Sequence, residues 1–160
     1  MVYLFILLVM MLLLMIVAAV VVFHRRQEAK HRYASLSERV HSTKSKFSFL
    51  IDQDFQVKET NFYDLNTHLK DDQPHVLGNV LRCQSGCDAG LCGTGMTCNT
   101  CPIRIVIRNS FKQKRDFSGL SAVMNLYGDN YEVQAINVRL DGKHVLIGKE
   151  PHFVVNVTPQ

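Results

Sequence analysis

Between residues 83 and 101 five cysteines, Cys83, Cys87, Cys92, Cys98 and Cys101, follow one another with the spacing C-x3-C-x4-C-x5-C-x2-C. The last two form a C-x2-C pair, a spacing at which two thiolates converge on one ion. Gly86, Gly90, Gly93 and Gly95 interrupt the series and allow the tight backbone turns a ligating loop needs. Four thiolates suit zinc or an iron–sulfur cluster. The spacing is neither a zinc ribbon nor a ferredoxin run, and a Cys-Pro step such as Cys101-Pro102 is common. Three chemistries are therefore open: a bound metal or cluster, a metal-free thiol–disulfide switch, and small inert cysteines packed in an interior. A cluster or a switch implies redox or oxygen sensing, whereas structural zinc implies a staple.

The remaining residue types point to no second chemistry. The seven histidines are scattered; His24 and His31 fall in a basic stretch where solvation is the default, and His75 is the one nearest the cysteines. There is no Gly-rich phosphate loop followed by Lys-Ser/Thr, no serine nucleophile elbow and no recognisable catalytic pair of acids, which argues against an enzyme. Asn156-Val157-Thr158 fits a glycosylation sequon but carries no meaning on a cytoplasmic segment.

The elements that would position the cysteines begin with a membrane signal. Residues 1–23 contain no charged side chain, and a run of about 20 apolar residues spans a hydrocarbon core about 30 Å thick. Arg25, Arg26, Lys30, Arg32, Arg39, Lys44 and Lys46 follow it, against only Glu28 and Glu38. Basic residues on that flank favour a cytoplasmic C-terminal side, and the missing basic n-region argues against a cleaved signal peptide. The expectation is a single-pass protein of the inner (cell) membrane with its domain in the cytoplasm. The basic stretch, and with it the net charge of +4, is explained by topology and contact with anionic headgroups rather than by nucleic acid. In that compartment a disulfide framework is disfavoured.

Residues 24–45 read as a polar helical linker with a thin apolar stripe of Tyr33, Leu36 and Val40. Such a stripe suits either a short coiled coil that pairs two copies or a solvated connector. From Lys46 the pattern becomes that of one domain, 46–150. Phe47, Phe49 and Ile51 alternate along a first strand, and Phe55–Lys58 begins a second, paired as a hairpin. Asn61 to Pro74 is mixed, and His75–Arg82 makes one or two helical turns. Pro102 opens a helix with Ile103, Val106, Ile107 and Phe111 inside and Arg104, Arg108, Lys112 and Arg115 on the wet side. Three strands are expected to follow: Leu120–Leu126, a turn at Gly128-Asp129-Asn130, Tyr131–Leu140, a hairpin at Asp141-Gly142, and Lys143–Lys149. The tail 151–160 contains one further short strand candidate at Phe153–Val157. The fold class is α+β, a five-stranded antiparallel sheet with helices on one face, preceded by a single transmembrane helix.

This order of elements resembles a PAS domain over about Lys46 to Lys149. Leu77-Gly78-Asn79-Val80-Leu81-Arg82-Cys83, Cys92-Gly93-Thr94-Gly95 and Cys98-Asn99-Thr100-Cys101-Pro102-Ile103-Arg104 resemble the cysteine-containing PAS subgroup of bacterial membrane histidine kinases and diguanylate cyclases. The resemblance implies Cys83, Cys92, Cys98 and Cys101 as metal ligands, with Cys87 as an alternate ligand or a free thiol. It also implies a sensory or regulatory role in signal transduction and a homodimer. No kinase or cyclase module is visible after the third strand, so a separate kinase, cyclase or other output protein is expected, or a truncated gene. The competing readings are a dimerisation module with structural zinc and a small membrane-bound iron–sulfur electron carrier.

Overall fold

The computed structural model describes residues 2–42, 46–66, 74–128 and 130–160. The end of the linker at 43–45 with Lys44, half of the mixed stretch (67–73) and Asp129 of the expected turn lie outside them. One helix, α1 (Val2–Ser42), runs from the apolar segment through the basic stretch without a break. It is long and apolar enough to cross a membrane, and none of its apolar window is buried. Leu14 and Val17 are typical, at 60% and 59% exposed. A surface of this kind is stable only under lipid or protein cover.

Five strands follow: β1 (Phe47–Ile51), β2 (Val57–Thr60), β3 (Phe117–Tyr127), β4 (Val133–Ile147) and β5 (Glu150–Pro159). They form one antiparallel sheet in the order β2-β1-β5-β4-β3. The strand number matches expectation, but two of the strands are not the expected ones. Asp141-Gly142 makes no hairpin; β4 passes straight through it. A Cβ on Gly142 would lie 2.0 Å from the Phe117 ring, and the Asp141 carboxylate accepts the Gly119 N–H at 2.9 Å. The glycine is there so that an aromatic ring can lie against the backbone. The turn falls instead at Gly148-Lys149, where Gly148 has φ +65, the conformation a primed hairpin turn asks of its first residue. The residues expected as a tail, 151–160, are in fact most of β5, hydrogen-bonded between β1 and β4 at the centre of the sheet.

The inner face of the sheet carries the core. Phe49, Ile51, Val138, Leu140, Phe153 and Val155 are essentially inaccessible there. Among the described residues four helices cover it: α2 (Phe62–Leu65), α3 (Leu77–Val80), α4 (Gln84–Asp88) and α5 (Pro102–Gln113). Pro102 is the first residue of α5, as its missing N–H predicts, and Ile103, Ile107 and Phe111 point inward. Val106 is only half-buried.

The outer face is covered by α1. Ser48, Val154 and Asn156 point away from the core by strand alternation, and they line a small cavity beneath Leu36 and Val40. Val40 is 1% exposed. Tyr33 donates to Glu59 on β2 at 2.6 Å, and Arg32 Nη1 donates to the Leu146 carbonyl at 3.0 Å. The apolar stripe of the linker is thus spent within the same chain. Leu36 and Val40 pack on the outer face of the sheet, so this part of the linker is not a fully solvated connector.

Candidate functional site

The cysteines lie in the helical layer, and a buried asparagine organises them. Asn79, on α3 and 1% exposed, accepts the Cys92 N–H on Oδ1 at 2.6 Å and donates from Nδ2 to the Gly90 carbonyl at 3.3 Å. This side chain pins the loop 90–92 onto α3. One residue earlier, Gly78 meets the same loop: a Cβ there would lie 2.5 Å from Cys92 Sγ and 3.7 Å from Cys83 Cβ. Gly86 is similarly close to the Cys92 Cβ, at 3.2 Å. Glycines 78 and 86 are required by close approach rather than by backbone conformation.

Each remaining cysteine has its own mooring. Cys83 precedes α4, donates its N–H to the Gly78 carbonyl at 2.7 Å, and bridges to Leu126 on β3. Cys87 donates its N–H back to the Cys83 carbonyl at 2.9 Å. Cys98 is the most enclosed, in the 3-10 turn Met96–Asn99, with Sγ 3.4 Å from where a Cβ on Gly95 would stand. Cys101 caps α5 and accepts the Ile105 N–H at 3.0 Å. No disulfide joins any of them.

Arg104 departs from expectation. Periodicity puts it on the wet side of α5, yet its guanidinium stacks 4.3 Å over the Phe55 ring and points Nη1 at Cys92, 3.4 Å from the carbonyl and 3.6 Å from Sγ. The flat cation can stack and donate at once. Only Gly93, at φ +105, leaves room for the guanidinium.

Electrostatics tie the thiols together. Burial pushes the Cys83 thiol up, with the N–H groups of Gly86 and Ser85 pulling the other way and Cys92 and Cys101 adding to the rise. Those N–H groups stop short of a formed side-chain cap. Cys92 is also raised by burial, opposed by Arg104 and by the Gly78 N–H. Cys87 is raised by burial and by Cys83. Protonated thiols are weak nucleophiles and weak ligands until a metal displaces the proton. Among the described residues no three His, Cys, Asp or Glu side chains stand in an arrangement that would hold a metal ion. Their donor chemistry still fits a soft metal: several sulfurs, glycines that permit close approach, and a cation beside Cys92 to offset thiolate charge. His75 is exposed, on the segment whose carbonyl accepts the Val57 N–H.

Asn79 and Arg104 are the two residues that sequence reasoning missed. Both belong to the motif segments around the cysteines, but only the folded chain shows that they contact Cys92. A second feature lies beside the loop. A cavity of about 270 Å³ between the inner sheet face and α2–α3 is lined by Phe47, Phe62, Leu81, Met124, Ile136 and Val157, with Arg82 and Gln134 as polar members.

No family model matches the chain, and no curated protein sequence matches it. Among solved structures it is similar to the PAS domain of a protein from Desulfitobacterium hafniense, with 11% identity and a TM-score of 0.47. The match covers 74% of this chain and 95% of that one.

Proposed function

We propose that the chain is a membrane-anchored, PAS-like sensory or regulatory domain whose cysteine loop responds to redox state or oxygen and whose output lies on a separate signalling protein. The observation that supports this most is the position of the loop between two mechanically distinct elements. Cys83 is bridged to β3, Cys92 rests on α3, and the same sheet carries α1 on its other face. A change at the thiols has a short, packed route to the helix that would enter the bilayer, and α1 docking is the natural two-state element.

In this reading Cys83, Cys92, Cys98 and Cys101, with Cys87 as alternate, hold zinc or an iron–sulfur cluster, whose contribution would be to keep the thiols deprotonated and, if iron, to exchange electrons. Asn79 fixes the backbone of Cys92. Arg104 holds a positive charge against its sulfur and favours the thiolate over the thiol. Among the described residues the thiols are not grouped to hold an ion, so metal binding in this reading requires the loop to rearrange. The basic residues that follow the apolar run favour a cytoplasmic domain, and a homodimer in this reading would use a surface other than the stripe of Leu36 and Val40.

The test is an anaerobic purification of the full chain in detergent, with a visible absorption spectrum and elemental analysis for iron and zinc. Several irons per chain and a brown colour support cluster sensing. One colourless zinc that unfolds the loop on removal favours the structural-staple reading. Neither metal, together with a reversible disulfide found by mass mapping, leaves a thiol switch. Neither metal and no reversible oxidation sinks the cysteine part of the proposal.

A further inference from the structure

A cleft of about 730 Å³ opens between α1 and the β4–β5 turn, lined by Arg25, Glu28, His31 and Arg32 from the helix and Gly148 and Lys149 from the turn. One hydrogen bond ties its walls together, and the turn lies close to the helix. Arg32 Nη1 donates to the Leu146 carbonyl at 3.0 Å, and a Cβ on Gly148 would touch the Ala29 methyl at 3.6 Å. Gly148 takes φ +65 for the turn itself, and the turn lies within van der Waals reach of the helix. Arg25, Arg32 and Lys149 supply cationic heads from two elements far apart in sequence. The one carboxylate, Glu28, is also engaged by His24 Nδ1 at 3.3 Å.

The position of the cleft matters as much as its charge. Phe23 is the last residue of the apolar run, and at about 1.5 Å per residue Arg25 and Arg32 stand roughly 3 and 14 Å beyond it along the helix. That interval overlaps the headgroup layer flanking a hydrocarbon core of about 30 Å. We infer that this cleft binds the phosphate of an anionic phospholipid, so that the domain sits on the bilayer through its β4–β5 turn instead of hanging from a stalk. Guanidinium groups suit a phosphodiester through paired N–H donors, and the ammonium of Lys149 closes the site as a point charge. The inference rests on the reading of α1 as a membrane anchor.

The experiment uses the full chain in nanodiscs of phosphatidylcholine, with and without a quarter of phosphatidylglycerol, and reads the melting of the sheet domain. Wild-type protein is expected to melt about 3 °C or more higher in the anionic discs. K149E and the milder K149Q should melt like wild type in neutral discs and lose most of the anionic gain, while K112E, on exposed α5 surface, should keep it. A gain that survives in K149E would overturn the site and leave only general attraction to the basic helix. The same gain from inorganic phosphate in neutral discs would overturn the lipid assignment in favour of a free anion. A chain that does not enter discs at all refutes the membrane anchor itself, an outcome visible before any melting is read.

Discussion

The two faces of the sheet are held in different ways, and the difference shows which contacts make the fold and which are free to regulate it. On the inner face, helices pack against a layer of buried Phe, Ile, Val and Leu, with Phe153 edge-on to Phe111 and His144 and stacked on Phe117. On the outer face a single helix rests on a mixed surface. Among the described residues, Leu36 and Val40, a tyrosine–glutamate hydrogen bond and an arginine–carbonyl bond hold it, and beneath them Ser48 donates to Asn156 at 2.8 Å. The inner contacts are dense and apolar, and therefore cooperative. Those described on the outer face are partly polar, and an element held by such contacts can leave without unfolding the rest.

The largest effect should come from the inner face. Ile107→Ala removes a fully buried side chain and is expected to destabilise the domain by about 2–5 kcal/mol, measured by chemical denaturation. An effect no larger than that of a surface substitution would break the comparison. Gly78→Ala is next. Its Cβ would meet Cys92 Sγ at 2.5 Å, so overpacking of about 1–3 kcal/mol is expected, with altered thiol reactivity at Cys92 as the accompanying readout.

Val40→Ala tests the outer face. It should lose about 1.5 kcal/mol of docking energy and show this as faster amide exchange in residues 32–42 while the β5 amides stay protected. Equal loss of protection in both regions would mean that the two faces are one cooperative unit. The smallest effect is the pH response of the same face. Burial and then the Glu59 carboxylate push the Tyr33 hydroxyl up to about 12. A group raised on folding stabilises below its ordinary value, about 10 for tyrosine, and that contribution fades as pH climbs from there toward 12. Docking of α1 should weaken across that window, and Tyr33→Phe should remove this part of the response. Burial raises the thiols of Cys83, Cys87 and Cys92 with the same sign, so the comparison needs the phenylalanine variant to separate the two.

Several elements were legible in the chain before folding. The apolar run and its basic flank, the β1–β2 hairpin, the Pro102 start of α5 and its Ile103, Ile107 and Phe111 face all follow from local composition and period. Asp141-Gly142 shows how a strong local signal is outvoted: the residue pair favours a turn, but the Phe117 ring needs a site without a Cβ. The burial of Arg104 against Phe55 and Cys92 could not be read from a helical wheel, because a wheel does not know that a loop arrives over that face.

What the sequence determined by itself was the α+β class, the membrane-length helix and the gathering of five cysteines in one stretch, since each depends on neighbours along the chain. Tertiary structure alone decided that residues 151–160 form the central strand, that Leu36 and Val40 cover the sheet of their own chain, and that Asn79 and Arg104 serve Cys92. Those outcomes depend on which surfaces meet across long separations. A strand at the centre of a sheet and one in a frayed tail can have the same alternating pattern; only pairing on both edges distinguishes them.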